Sequence, residues 1–313
     1  MACSTIQLDH RFPLSVSYDP LTAVTSRYAA AMSRRGPLLV LAAATVWGTT
    51  GTAQALGPEG ITPETVALIR MLGGSLLLIH SVRAGTTSPI RLLPRVPLLL
   101  AIAAMATSQP LFFGGVARTG VAIGTIVTIG SGPLFAGLLA WLVRRESISG
   151  PWLAATGLSI VGAVLLVSGG ESAGIDVTGL MFALGAGLMW AVYLVWAKAV
   201  FETADPVFAA GVIFAGAAVV LAPTAVLADA SWIATGRGLG VALWLVPTTA
   251  VSYLFFSRGL QETPVAVAAT MTLAEPLTAA VLGLMILGEP ARVTTLAGIG
   301  LILFGLLVLA RKE

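Results

Sequence analysis

Residues 36–57 read GPLLVLAAATVWGTTGTAQALG, and residues 179–200 read GLMFALGAGLMWAVYLVWAKAV. Each run is long enough to cross a bilayer, for which a helix needs about 20 apolar residues, and neither contains an acidic residue. Both open on glycine and place a tryptophan at the same step, Trp47 and Trp190, 143 positions apart. The same offset carries Pro63 onto Pro206, Phe112-Phe113 onto Phe255-Phe256, Pro133 onto Pro276 and Glu146 onto Glu289. It also carries Gly157 and Gly162 onto Gly300 and Gly305. A single offset that needs no gap indicates a duplicated membrane unit. Such duplication points first to a carrier, in which one repeat moves against the other around a site between them.

Composition agrees. The 313 residues are 57% hydrophobic and only 10% charged, against about 25% charge in a soluble domain. The lipid bilayer is therefore the expected solvent. The net charge of +3 comes from arginines flanking the apolar runs rather than from a basic stripe, so no nucleic-acid partner is expected. Cys3 is the sole cysteine, and the two histidines, His10 and His80, are too few for a His-based metal site. No disulfide, metal or cofactor is expected.

Ten apolar segments follow one another at about 37–57, 62–82, 96–116, 119–142, 150–169, 177–199, 206–228, 238–258, 264–287 and 292–310. Segments of this length in lipid must satisfy their own backbone hydrogen bonds, so helices are expected throughout. The fold class is an all-α membrane protein of ten transmembrane helices. The first repeat spans 36–170 and the second 177–313, after a polar, disordered N-terminal segment at 1–35 with no run of signal-peptide length. Met32-Ser33-Arg34-Arg35 offers a second start, which N-terminal sequencing of the native protein tests.

Charge sets the expected orientation. With both termini cytoplasmic, thirteen of the 17 Lys and Arg residues fall on the cytoplasmic side, and only Arg118, Arg237 and Arg292 fall opposite. Arg70 lies inside a span. This is the asymmetry of the positive-inside rule, and it places the protein in the inner or plasma membrane. Five spans per copy is an odd number, so the copies enter from opposite faces as inverted repeats around a central cavity. The charges follow: Arg144-Arg145 become Leu287-Gly288, and Arg118 becomes Gln261.

The motifs resemble a known family. Ala44-Thr45-Val46-Trp47-Gly48, Ala67-Leu68-Ile69-Arg70, Gly132-Pro133-Leu134 with Glu146, and Glu275-Pro276-Leu277 with Gly288-Glu289 are similar to those of EamA-type carriers in the drug/metabolite transporter superfamily. Overall texture is most similar to YddG-like exporters of aromatic and other neutral amino acids. The resemblance implies ten helices in two inverted repeats, a cavity lined mainly by spans 1, 3, 4, 6, 8 and 9, and efflux of small metabolites.

Polar and aromatic residues within spans are the binding candidates. Trp47, Gly51 and Gln54 share a face of the first span. Met105, Ser108, Gln109 and Phe112 form a similar stripe on the third, Trp190 and Tyr193 lie on the sixth, and Ser252 and Tyr253 on the eighth. Gln109 and Ser252 are equivalent under the offset, and are expected to face each other across a two-fold axis. The substrate-binding set is therefore Trp47, Gln54, Gln109, Trp190, Tyr193, Ser252 and Tyr253. Such a lining suits amphipathic small molecules, although Trp and Tyr also mark membrane interfaces.

Pro133 and Pro276 lie within matched spans, where a missing N–H bends a helix, and they are gating candidates. Arg70 and Glu275 are costly in a bilayer. They are candidate coupling residues, with Glu275 open to three roles: proton acceptor, ligand for an amino group, or partner of Arg70. Glu146 and Glu289 read as structural carboxylates at helix N-termini, and the glycines of the fifth and tenth spans as a close helix contact.

The leading expectation is a secondary active exporter of neutral, aromatic amino acids working by alternating access. The alternative is a carrier or exchanger of drugs or other metabolites. An intramembrane enzyme lacks support, with no HExxH or Walker sequence. A channel would want rings of carbonyls or charges that a two-fold repeat with one buried glutamate does not supply.

Overall fold

The computed structural model describes residues 35–82, 90, 93–167, 176–288 and 290–312. The expected disordered segment and Glu289 lie outside the described residues, apart from Arg35. Among the described residues the fold is all helical. The helices are α1 (35–47), α2 (Thr49–Ala55), α3 (Pro63–Ser81), α4 (Arg95–Arg144), α5 (Gly150–Val167), α6 (Val177–Phe201) and α7 (Pro206–Val226). After a short 3-10 turn at Ser231–Ala234 come α8 (Gly236–Glu262), α9 (Val265–Met271), α10 (Ala274–Ile286) and α11 (Val293–Lys312).

The starts of these helices are written in the sequence. The Asp176 carboxylate accepts from Gly179 N at 2.9 Å to open α6. Asp205 accepts from Phe208 N at 2.8 Å to open α7, with Pro206 next. The Thr235 hydroxyl accepts from Gly238 N at 2.9 Å to open α8. Each cap satisfies a backbone donor that the helix itself leaves free.

Among the described residues, seven helices are long and apolar enough to cross a membrane. Two of them, Arg95–Gly120 and Ile123–Arg144, are the arms of α4, and one, Val265–Ile286, joins α9 and α10. Gly150–Leu166 and Val293–Leu309 are apolar but shorter. Three of the expected segment boundaries differ, each for a local reason. The third and fourth segments run on through a joint at Gly120, whose φ of 83° and ψ of 160° only glycine adopts at low cost.

The first segment is not one helix: it breaks at Gly48. The run Gly48-Thr49-Thr50-Gly51 is poor in helix formers, and the Thr49 hydroxyl donates to Val46 O at 2.8 Å. The ninth segment breaks at Thr272-Leu273. Pro276 has no N–H to offer Thr272 O one turn back, and that carbonyl accepts from Glu275 N instead, at 2.9 Å. Pro133, the matched proline, does not break its helix: it lies in the second arm of α4, and the one non-helical residue within α4 is Gly120.

Four pairings organise the bundle: α4 with α6, α5 with α11, α3 with α7, and α3 with α8. The α5–α11 seam is close. A Cβ on Gly162 would stand 2.8 Å from Gly298 O, and one on Gly298 would stand 2.6 Å from Gly162 O. The echo of this contact under the 143 offset is Gly305 against Ala155, where a Cβ on Gly305 would stand 2.7 Å from Ala155 O. Gly157 and Gly300 differ from expectation, since each faces open space. The outside of the bundle is apolar, with Leu76, Leu99, Val219, Met285 and Phe304 exposed. That surface suits lipid.

Candidate functional site

Two hollows compete for the role. The larger, ≈ 530 Å³, lies between α2, α8 and α10, and its walls are residues such as Ala53, Leu56, Val241, Leu282 and Ile286. Arg237 is its one charged group. The smaller, ≈ 310 Å³, takes residues from both halves of the chain. Its volume is at the low end of the range for small-molecule sites, about 300–1,000 Å³. It gathers a guanidinium, a carboxylate, two amides and several aromatic rings. A binding site is marked by convergent polar groups in an apolar hollow, so the smaller cavity is the candidate.

Broken and bent elements bring the groups together. Trp47 stands at the end of α1, and Gln54 lies on α2 beyond the break. Gln109 and Ser108 come from the first arm of α4; Thr128, Gly132 and Pro133 come from the second. Trp190 comes from α6 and Tyr253 from α8. Thr272, Leu273, Glu275 and Pro276 come from the interruption between α9 and α10.

Arg70 reaches the cavity from α3. Its Nε donates to the Thr249 hydroxyl at 3.2 Å, which fixes the plane of the guanidinium. The second span thus joins the lining that the resemblance assigned to six others.

Tyr193 and Ser252 do not line the cavity. Tyr193 is fully buried behind Trp190, with ring centroids 5.3 Å apart and stacked. Ser252 is fully buried and its hydroxyl donates back to Thr249 O at 2.9 Å. The expected opposition of Gln109 and Ser252 is therefore not formed. Met105 is also buried, while Phe112 and Phe113 both line the space. Phe113 was legible as a repeat landmark, and Thr128, Gly132 and Pro133 as one face of the fourth span.

The floor is aromatic. Trp47 packs on Tyr253 and on Phe256, each at 5.0 Å between centroids, and on Trp190 at 5.8 Å. Phe201, Phe256, Leu260 and Val265 are fully buried, and none of them lines the hollow.

A charged network lies beyond that floor. The second arm of α4 ends with Arg145 in a left-handed conformation (φ 59°) and Glu146 N donating to Ala140 O at 3.1 Å. This is a helix-terminating turn, and it sends Glu146 across to α9. Glu146 Oε2 accepts from Val265 N at 2.8 Å, and Oε1 from Arg144 Nε at 3.2 Å. Arg144 Nη2 also meets Glu202 at 2.5 Å. Lys198 Nζ stands 3.9 Å from Glu146 and donates to the carbonyl of Thr263. Glu146 does serve a helix N-terminus, but that of α9 rather than α5. For α5 the Ser149 hydroxyl does so, accepting from Trp152 N at 3.2 Å. Among the described residues no group of His, Cys, Asp or Glu side chains gathers as a metal site.

A helical bundle with an apolar exterior and a solute-sized hollow fed by both copies of a repeat defines a membrane transporter. The comparisons with known proteins agree. The chain belongs to the EamA-like transporter family, whose model matches residues 34–168 and again 177–311. It is similar to the transporter YwfM of Bacillus subtilis (strain 168), with 40% identity over 87% of this chain and 93% of that protein. It is similar to the threonine/homoserine exporter RhtA of Escherichia coli (strain K12), with 29% identity over 88% of this chain and 92% of that protein. A solved crystal structure shares the fold at a TM-score of 0.77 with 17% identity, over 89% of this chain and 99% of that one.

Proposed function

We propose that this transporter is a secondary active exporter of neutral amino acids, with aromatic side chains well accommodated, and that it works by alternating access. The observation that carries this reading is the mid-bundle cavity of ≈ 310 Å³, where Arg70 and Glu275 meet aromatic walls. In the proposed topology ten spans form two inverted five-helix repeats, with both termini in the cytoplasm of the inner or plasma membrane. Gln54 then lies toward the outer face, and the aromatic floor and the Arg144–Glu146–Lys198 network lie toward the cytoplasm. In that topology the aromatic floor separates the cavity from the cytoplasm.

Three observations support the proposal. Interrupted helices lie beside the cavity, as is common where transporters bind solutes. The two halves contribute comparable walls. RhtA, similar over most of its length, is an exporter of threonine and homoserine.

Counterflow in proteoliposomes tests the proposal, using a panel of neutral amino acids at two pH values. Saturable, mutually competing exchange is expected. Ohmic conductance without saturation would make the protein a channel. Exchange of organic cations or drugs with no amino acid competing would favour the alternative carrier reading.

A further inference from the structure

Arg70 and Glu275 belong to different copies of the repeat, yet both open on the one cavity. Both are half-buried. Neither makes an ion pair among the described residues, with each other or with any third group. Glu275 has no hydrogen-bond partner for its carboxylate there, and Arg70 has only the Thr249 hydroxyl on Nε. The two Nη atoms of Arg70 are thus left for an incoming acceptor. A guanidinium held at one nitrogen still presents a fork that matches a carboxylate.

Two opposite charges kept apart in an apolar hollow are costly unless something pairs with both. We propose that Arg70 and Glu275 form a two-point clamp for a zwitterion, with Arg70 taking the α-carboxylate and Glu275 the α-ammonium, while the side chain lies on Trp47, Trp190 and Tyr253. The clamp rests on the amino-acid reading of the cavity and deepens it. The site's net charge is zero, as is the ligand's. An amine lacking the carboxylate leaves Arg70 unpaired, and an acid lacking the amine leaves Glu275 unpaired, so selectivity comes from what each wrong solute strands.

The repeat makes the arrangement directional. Under the 143 offset the equivalent of Arg70 is Ile213 and that of Glu275 is Gly132. Neither equivalent carries charge, so a ligand cannot bind in two orientations related by the repeat. Glu275 also sits at a joint. It follows the interruption of α9–α10, and a Cβ on Gly48, at the interruption of α1–α2, would stand 2.7 Å from Glu275 O. Pairing at Glu275 therefore places the ligand where two broken helices touch.

The test is competition against counterflow of radiolabelled L-phenylalanine in proteoliposomes holding the full chain, with L-threonine as second probe. Phenethylamine lacks the carboxylate, and 3-phenylpropionate lacks the amine. In the natural protein each is expected to compete about 100-fold more weakly than L-phenylalanine, because each leaves a site charge unmatched. Arg70→Gln should raise the KM for L-phenylalanine and close most of the gap for phenethylamine only. Glu275→Gln should close most of the gap for 3-phenylpropionate only. Equal competition by either analogue in the natural protein overturns the clamp while leaving an amino-acid carrier standing. So does slower transport in both variants with their selectivity between the analogues unchanged. If a variant fails to fold, the competition in the natural protein decides alone. Absence of counterflow for both amino acids overturns the amino-acid reading itself, and the clamp with it.

Discussion

Glu146→Gln should release the closed end of the bundle. The carboxylate lies 3.2 Å from Arg144 Nε and 3.9 Å from Lys198 Nζ, and its side chain is 19% exposed. It ties the end of α4 to the start of α9 through Val265 N at 2.8 Å. The amide keeps the shape and one acceptor but turns an NH2 toward two cations. A hydrogen bond to a charged group is worth about 1.5–3 kcal/mol. Taking about 2 kcal/mol as the loss, the balance between closed and open forms of this end shifts by about 30-fold. The readout is thiol labelling. Cys3 is the only native cysteine, so Cys3→Ser gives a silent background. Ser257→Cys places a thiol at a fully buried position on α8, near that end. A membrane-permeant maleimide should label this thiol about 30-fold faster when Glu146→Gln is added, in the limit where opening is rare and fast. An unchanged labelling rate in a folded variant would refute the reasoning.

Other outcomes follow from the same geometry. Pro276→Ala supplies a helical N–H for Thr272 O in place of the Glu275 N that now serves it, so α9–α10 should stiffen. Transport turnover should fall about 10-fold with abundance nearly unchanged, as for a hinge rather than a structural strut. Equal turnover would remove the gating role. Gly162→Leu puts a side chain where a Cβ alone meets Gly298 O at 2.8 Å. The cost should be about 1–3 kcal/mol, seen as a lower melting midpoint in detergent with the KM of the surviving fraction unchanged.

The duplication was fully legible, because Trp47/Trp190 and Pro133/Pro276 need no structure to be matched. Depth was harder to read. A helical face groups Trp190 with Tyr193, but only packing shows that the first ring screens the second from the cavity. Ser252 is the repeat equivalent of Gln109, but its hydroxyl is used up by the carbonyl one turn back. Arg70 was legible as a costly charge; its direction depended on Thr249, which is 179 positions away. The break at Gly48 was hidden for a related reason. Glycine and threonine permit it, but its close approach to Glu275 O belongs to the assembled fold. The partner of Glu146 was equally out of reach, since α9 begins 119 positions later.

The seam of α5 and α11 binds the history of the two copies together. At Gly162 and Gly298 each backbone oxygen occupies the room that the other residue's methyl would need. A change to alanine on one side must be answered by a shift of the whole opposite helix. Among relatives that keep this seam, the two positions should drift in concert, so an ancient duplication still constrains its two descendants as a single inherited unit.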